Sequence, residues 1–331
     1  MNKFMRGCLM TALVLLIIGF VISGVCWLLG GYRQLNGIQD LTGIPFVFFR
    51  GDGRHWSIGF GDKESEFGKD WEKERYLRIG DEESVSYLAS SFKELDVELG
   101  ACTLYLQESA DDQIYVSVEG NTLRYYYLVD GSTLRLRNAG RTKRIAETSD
   151  KVYLSLPAGF QFREADVMIG AGKLEGGTLL AEDLSLDVGA GECSMEKISG
   201  REVRLNLGAG KIRTQQLEAE ELTLDGGAGE YKLEGVFGTE DMKLKIGMGN
   251  ARIEGEITGD LSVDCGMGSV DMRLAGSEDD HAYDVECNMG NVKVSNKSIG
   301  GFSGSREWNS GRESVFEIEC SMGNVTIAFE E

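Results

Sequence analysis

The chain reads as an all-β protein: a β-solenoid of about 19-residue rungs with Gly-Ala/Met-Gly corners, preceded by one N-terminal transmembrane helix. Three observations predict this. A Gly-[Ala/Met]-Gly triplet recurs down the second half, centred on Ala171, Ala190, Ala209, Ala228, Met248 and Met267, at steps of 19, 19, 19, 20 and 19 residues. A repeat of that length is one supersecondary unit that buries its apolar face only against its neighbours. Apolar residues alternate with polar ones on either side of each triplet, and an uncharged apolar run fills most of the first thirty residues.

From the N-terminus, residues 1–7 form a short cytoplasmic segment carrying Lys3 and Arg6, and residues 8–30 are apolar and long enough to cross a bilayer. Basic residues before this run and a mostly acidic chain after it orient the C-terminal domain outwards, which predicts a single-pass plasma-membrane protein with its bulk extracellular. A cleavable signal peptide is the rival reading; the run is longer than a usual signal core and no Ala-x-Ala site follows it. Residues 31–91 read as a membrane-proximal stalk, with a charge-dense middle from Asp62 to Glu83 and a short helix around Ser65 to Tyr76. Arg50-Gly51-Asp52 spells an integrin-binding tripeptide, a three-letter match in a glycine- and charge-rich linker that carries no argument.

The repeat domain spans 92–331. Leu95-Asp96-Val97-Glu98-Leu99-Gly100-Ala101-Cys102 has the form of a first copy, and Gln113 to Glu119, Leu123 to Leu128 and Thr133 to Arg137 follow as antiparallel strands joined by Gly120-Asn121 and Asp130-Gly131 turns. In the regular units, Leu184, Leu186, Val188 and Ala190, or Leu244, Ile246 and Met248, occupy every second position, the mark of a half-buried strand. Beyond each triplet the parity slips by one, to Cys193 and Met195, Ile212 and Thr214, Tyr231 and Leu233. The glycines therefore mark a corner, where a positive φ or a bulge is expected. A second turn often carries glycine as well, as in Glu234-Gly235 and Glu254-Gly255. Looser copies at Asn288-Met289-Gly290 and Ser321-Met322-Gly323 flank an insert from Lys297 to Arg312, the expected cap for one end.

The Leu-Asp-Val-x-Leu-Gly-Ala opening, the Tyr153-Leu154-Ser155-Leu156-Pro157 strand, the glycine ladder and the ending Ile318-Glu319-Cys320-Ser321-Met322-Gly323-Asn324-Val325 together resemble the bacterial "putative adhesin" family of unknown function. The resemblance covers about residues 92 to 331. It implies a membrane-anchored, surface-facing β-solenoid and supplies no catalytic residue.

Equivalent positions in successive rungs stack, so their charges act on one another. Lys173, Glu192, Lys211 and Glu230 alternate in sign directly after the triplet, and Asn250, Ser269, Asn291 and Asn324 continue the column. Three residues before each centre the column is mainly acidic, and Asp187, Asp225, Asp264, Glu286 and Glu319 form a candidate acidic binding face. Cys265, Cys287 and Cys320 share one inward position, where cysteine acts as a small hydrophobe.

No catalytic, cofactor-binding or metal-binding residue is identified. The two histidines, His55 and His281, lie in polar stretches outside any recognisable triad or metal motif, and the glycine spacing leads into strands and not into the helix of a dinucleotide loop. The positions where a calcium-binding repeat wants Asp hold Lys, Glu, Asn or Ser. A formal net charge of −20 without a basic cluster excludes most nucleic-acid partners. The expected function is a non-enzymatic, membrane-anchored interaction scaffold that contacts an envelope component or a surface protein. The alternative is an envelope-stress component that binds cationic peptides or a basic partner protein; a glycan-active β-helix enzyme is the remaining reading.

Overall fold

The computed structural model describes residues 47–51, 56–60, 76–120, 122–139, 150–300 and 304–330. The expected transmembrane helix, most of the helix around 65–76, and His55 and Asp52 lie outside these residues. Among the described residues no helix is long and apolar enough to cross a membrane. Apart from 3-10 turns at Ala89–Ser91 and Glu278–Asp280, the regular structure of the described residues is all strand. Strands β1 (Val47–Gly51) and β2 (Trp56–Phe60) pair with each other, and twenty-one further strands belong to one sheet.

The centre of that sheet is five long strands, β12 (Lys173–Val188), β13 (Glu192–Leu207), β14 (Lys211–Gly226), β15 (Glu230–Ile246) and β16 (Asn250–Cys265). Each pairs parallel with the next in a register equal to the sequence repeat, so that Lys173 lies beside Glu192, Glu192 beside Lys211 and Lys211 beside Glu230. The strands bend, and one continuous core fills the space inside the bends. In β14 the alternation places Ile212, Thr214, Leu217, Ala219, Leu222 and Leu224 in that core. Each such leucine contributes roughly 1.5–3 kcal/mol relative to an exposed one. The single 20-residue step is absorbed in β15, where the register slips by one residue and Gly238 takes φ +73°.

The triplet glycines have a different cause from the one expected. None of them adopts a positive φ; within the repeat that conformation falls at second-turn positions such as Gly235, at +57°. At the triplets the demand is for close approach between rungs. Gly189 and Ala190 donate to Ile169 and Gly170, Gly208 and Ala209 to Val188 and Gly189, at 2.8 or 2.9 Å, and the same ladder continues rung by rung. A Cβ on Gly189 would stand 2.6 Å from the Gly170 carbonyl oxygen, and one on Gly210 would collide with the Gly191 carbonyl. The glycines let one backbone lie directly on the next.

At both ends chain order and stacking order part company. In the N-terminal group, β5 (Glu94–Leu99) and β6 (Thr103–Ser109) form the first rung. Strands β9 (Thr133–Ala139) and β10 (Lys151–Pro157) then stack parallel on its outer side, and β11 (Gln161–Ile169) returns to its inner side to start the regular array. The outer side is finished by antiparallel strands. β8 (Arg124–Asp130) covers β9, β7 (Gln113–Glu119) covers β10, and β3 (Leu77–Ile79) and β4 (Ser84–Leu88) cover β8 and β7 in turn. The expected antiparallel run is thus split: β7 pairs with β4 and β10, not with β8. Residues 77–88, read from sequence as part of the 31–91 stalk, belong to the sheet.

The C-terminal end repeats the manoeuvre. After β17 (Ser269–Ala275) the chain builds the outermost rung, β18 (His281–Cys287) and β19 (Asn291–Val294), covers it with antiparallel β20 (Lys297–Gly300) and β21 (Gly304–Trp308), and comes back. Strands β22 (Ser314–Cys320) and β23 (Asn324–Glu330) then insert between the rung already formed by β16 and β17 and that outermost one. The insert read as a cap therefore supplies the edge-covering strands, and the last rung in sequence is the penultimate one in space.

Candidate functional site

The outward columns hold the chemistry, and the stacking order decides what each contains. The acidic column runs Asp187, Asn206, Asp225, Lys245, Asp264, Glu319, Glu286 in space. Five carboxylates are therefore not one continuous face. Asn206 separates Asp187 from Asp225, and its amide donates to Asp187 at 2.8 Å. Lys245 separates Asp225 from Asp264. Only Asp264, Glu319 and Glu286 occupy adjacent rungs, with Glu319 in the middle, an order that sequence reading reverses. All three are exposed, and none is ion-paired with another described residue.

Burial pushes the carboxyls of Asp187 and Asp225 above the ordinary range, the first opposed by hydrogen bonds from Asn206 and Ser185 and the second by the charge of Lys245. Asp166, on β11, rises to about 6 because it is partly shielded from water and faces the charges of Glu164, Asp96 and Asp187. Asp96 itself is held by Arg135 and Arg137 at 3.6 and 2.7 Å.

The charged column after the triplets behaves as expected. Lys173 meets Glu192 at 3.7 Å and Lys211 meets Glu230 at 3.1 Å. Asn250, Ser269, Asn324 and Asn291 continue it in register.

The triplet centres depart from expectation. Met248 and Met267, read as inward members of the alternation, instead point to solvent at 62% and 54% exposure, and Met322 and Met289 do the same at 50% and 58%. The corner itself turns the parity: the residue before the triplet, such as Val188 or Ile246, ends one inward series and the third residue of the triplet, a glycine, begins the next, which leaves the central side chain outside. Sequence patterning shows the alternation on each side of a corner but not which side absorbs the slip. The four methionines lie in four successive rungs, because Met267, Met322 and Met289 each donate, at 2.7 Å, to the residue preceding the methionine of the rung below.

Behind this ridge the cysteines occupy one inward column, as read from sequence, with Cys265 beside Cys320 and Cys320 beside Cys287. All three are buried and free. Burial raises the Cys320 thiol to about 11, with smaller contributions from Cys265 and Cys287. Cys102 and Cys193 are likewise buried, and burial raises each to about 12.

His281, expected in a polar irregular stretch, opens β18 and is buried. Its ring stacks on Phe316 at 4.1 Å, and Nδ1 lies 2.7 Å from the Ser314 oxygen. The Ser314 hydroxyl donates to the Gly259 carbonyl, so Nδ1 carries the proton that Ser314 accepts. Burial lowers the histidine's pKa. This serine has committed its proton to backbone and its oxygen to an N–H, the opposite of a serine activated by a histidine base. Among the described residues no group of three or more His, Cys, Asp or Glu is disposed to hold a metal ion.

Parallel 19-residue rungs, glycine corners and antiparallel covers at both ends define a class of all-β repeat domains that present columns of side chains. The chain belongs to the Toastrack DUF4097 family, whose pattern matches residues 92–328. No curated protein matches it. Among solved structures, it is similar to a "putative adhesin" from Parabacteroides distasonis at 14% identity, covering 76% of this chain and 98% of that one with a TM-score of 0.41. A "putative lipid binding protein" from the same species is 16% identical, covering 76% and 98% with a TM-score of 0.41. A "putative adhesin" from Parabacteroides merdae is 12% identical, covering 76% and 97% with a TM-score of 0.37.

Proposed function

We propose that the chain is a non-enzymatic, single-pass plasma-membrane protein whose domain, a β-solenoid of 19-residue rungs held outside the cell by residues 8–30, acts as an adhesin-like interaction scaffold. The observation that carries this reading is the backbone ladder itself. It fixes outward side chains at strand spacing, about 4.8 Å apart, so a partner meets preordered columns and little entropy is lost at the contact. Among the columns, Asp264, Glu319 and Glu286 are the preferred contact, being adjacent, exposed and without a cation of their own. The partner in this reading is an envelope component or a surface protein with a basic patch.

The test is in-cell cross-linking and pull-down of the full-length protein, with a chain lacking residues 1–31 as control. A specific partner that is lost from the Asp264→Asn, Glu286→Gln, Glu319→Gln variant supports the scaffold. Recovery of the same proteins by wild type and variant moves the contact elsewhere, and recovery of nothing specific removes the reading.

The same three carboxylates favour a second reading, capture of cationic peptides in envelope stress. Deleting the protein would then increase sensitivity to such peptides, and unchanged sensitivity would sink the idea.

A further inference from the structure

The methionine ridge has no folding role that its position explains. Alanine fills the same corner site in the rungs of Ala190, Ala209 and Ala228, with the same backbone ladder, so the fold asks for no larger side chain there. Yet the next four rungs all carry methionine, at 50–62% exposure, and these are half of the large apolar side chains exposed among the described residues. Exposed apolar bulk is ordinarily avoided, and four copies in line mark a site.

What distinguishes methionine from other apolar residues is its thioether, a soft donor on a side chain with three rotatable bonds. Rung spacing of about 4.8 Å puts neighbouring chains within reach of a common point, and their flexibility lets two or three sulfurs from successive rungs converge on it. Thioethers select soft ions such as copper(I), while carboxylates and water hold hard ones. Asp264, Glu319 and Glu286 lie three residues before Met267, Met322 and Met289 in the same three rungs. They supply a negative potential that concentrates cations at the ridge.

We propose that Met248, Met267, Met322 and Met289 form a surface site for a soft monovalent cation of the copper(I) class, bound through thioethers of adjacent rungs. The site is independent of the scaffold reading, and no electron transfer is involved. Thioethers carry no proton to lose, so binding through them is insensitive to pH except through the nearby carboxylates. The cysteines lie on the inner side of the same corner, buried, and are not part of it.

Silver(I), a redox-stable probe, tests the site on the full-length chain labelled with carbon-13 at the methionine methyls, in chloride-free buffer. Four methyl resonances, assigned by single Met→Leu variants, should shift and saturate together. The Met267→Leu, Met322→Leu double variant, which keeps apolar bulk, should weaken binding at least tenfold. The Met267→Ala, Met322→Ala variant should do the same with an unchanged melting temperature, since alanine is native to this corner. The proposal is overturned if the four methyls do not move, if the leucine variant binds silver as wild type does, or if affinity falls with Cys320→Ala and not with the methionine variants.

Discussion

The ring of Tyr231 occupies the space that Gly226 leaves empty. Gly226 stands in the inward column that holds Val188, Leu207, Ile246 and Cys265 in other rungs, and a Cβ there would lie 2.8 Å from Tyr231 Cε2 and 2.9 Å from Ile246 Cδ1. The tyrosine hydroxyl reaches across to share its proton between the carbonyls of Leu205 and Asp225, at 2.8 and 2.7 Å.

Gly226→Val restores the usual residue type to the column but overpacks this rung, and should cost roughly 1–3 kcal/mol. Tyr231→Leu opens a cavity and strands two carbonyls, for about 2–4 kcal/mol. The double variant should be less destabilised than the sum by more than about 1 kcal/mol. Denaturant titration of the four proteins measures this coupling, and strict additivity would mean that the two sites do not share one space.

Corner glycines and turn glycines should respond differently to alanine. Gly131 has φ +60° with no atom within 4 Å of its virtual Cβ, so Gly131→Ala carries a conformational cost alone, about 1 kcal/mol. At Gly210 the methyl group would collide with the Gly191 carbonyl, and the two rungs must separate. Gly210→Ala should therefore lose on the order of 3 kcal/mol despite an unexceptional φ. Equal melting temperatures for the two variants would remove the close-approach argument.

Asp166 makes stability depend on acid in an unusual direction. Its carboxyl is raised to about 6, above the value of about 3.9 in an unfolded chain, so the folded state binds the proton more tightly. Between those values stability falls as pH rises, and at neutral pH the charged group costs on the order of 1 kcal/mol after allowance for its exposure. Asp166→Asn should raise stability at pH 7, with little effect at pH 4. A variant less stable than wild type at pH 7 contradicts the assignment.

Asp150 closes the N-terminal cover from inside. Its buried carboxylate accepts from the backbone amides of Thr122 and Leu123 at 3.1 and 2.8 Å and from the Tyr125 hydroxyl at 3.2 Å. Asp150→Ala leaves these donors unpaired and should cost about 2–3 kcal/mol. Hydrogen exchange should quicken at Thr122 and Leu123 while the amides of β14 stay protected. Uniform loss of protection would mean that the cover and the array unfold as one unit.

Much of this is legible in the sequence. The alternation in Val203, Leu205 and Leu207 marks inward positions, and the sign alternation of Lys173, Glu192, Lys211 and Glu230 marks a column of facing charges, because both follow from a register equal to the repeat. The candidate acidic face was legible only as a list of residues. That Lys245 and Asn206 interrupt it matters little in a list and a great deal in a column. The exposure of the methionines is not legible in the sequence, because the slip in parity has to be assigned to one residue of the triplet, and glycine on both sides leaves no side chain to reveal which.

The sequence by itself determined the period, the strands and the corners, since each is a local property: side-chain parity within a few residues, and glycine wherever two backbones must touch. Only the tertiary structure decided which rung lies on which. Every rung offers the same hydrogen-bonding edge, so the local pattern cannot order them. That order is set at the ends, where antiparallel strands cover an edge and β22 and β23 must enter between rungs. It puts Glu319 between Asp264 and Glu286, and Met322 between Met267 and Met289.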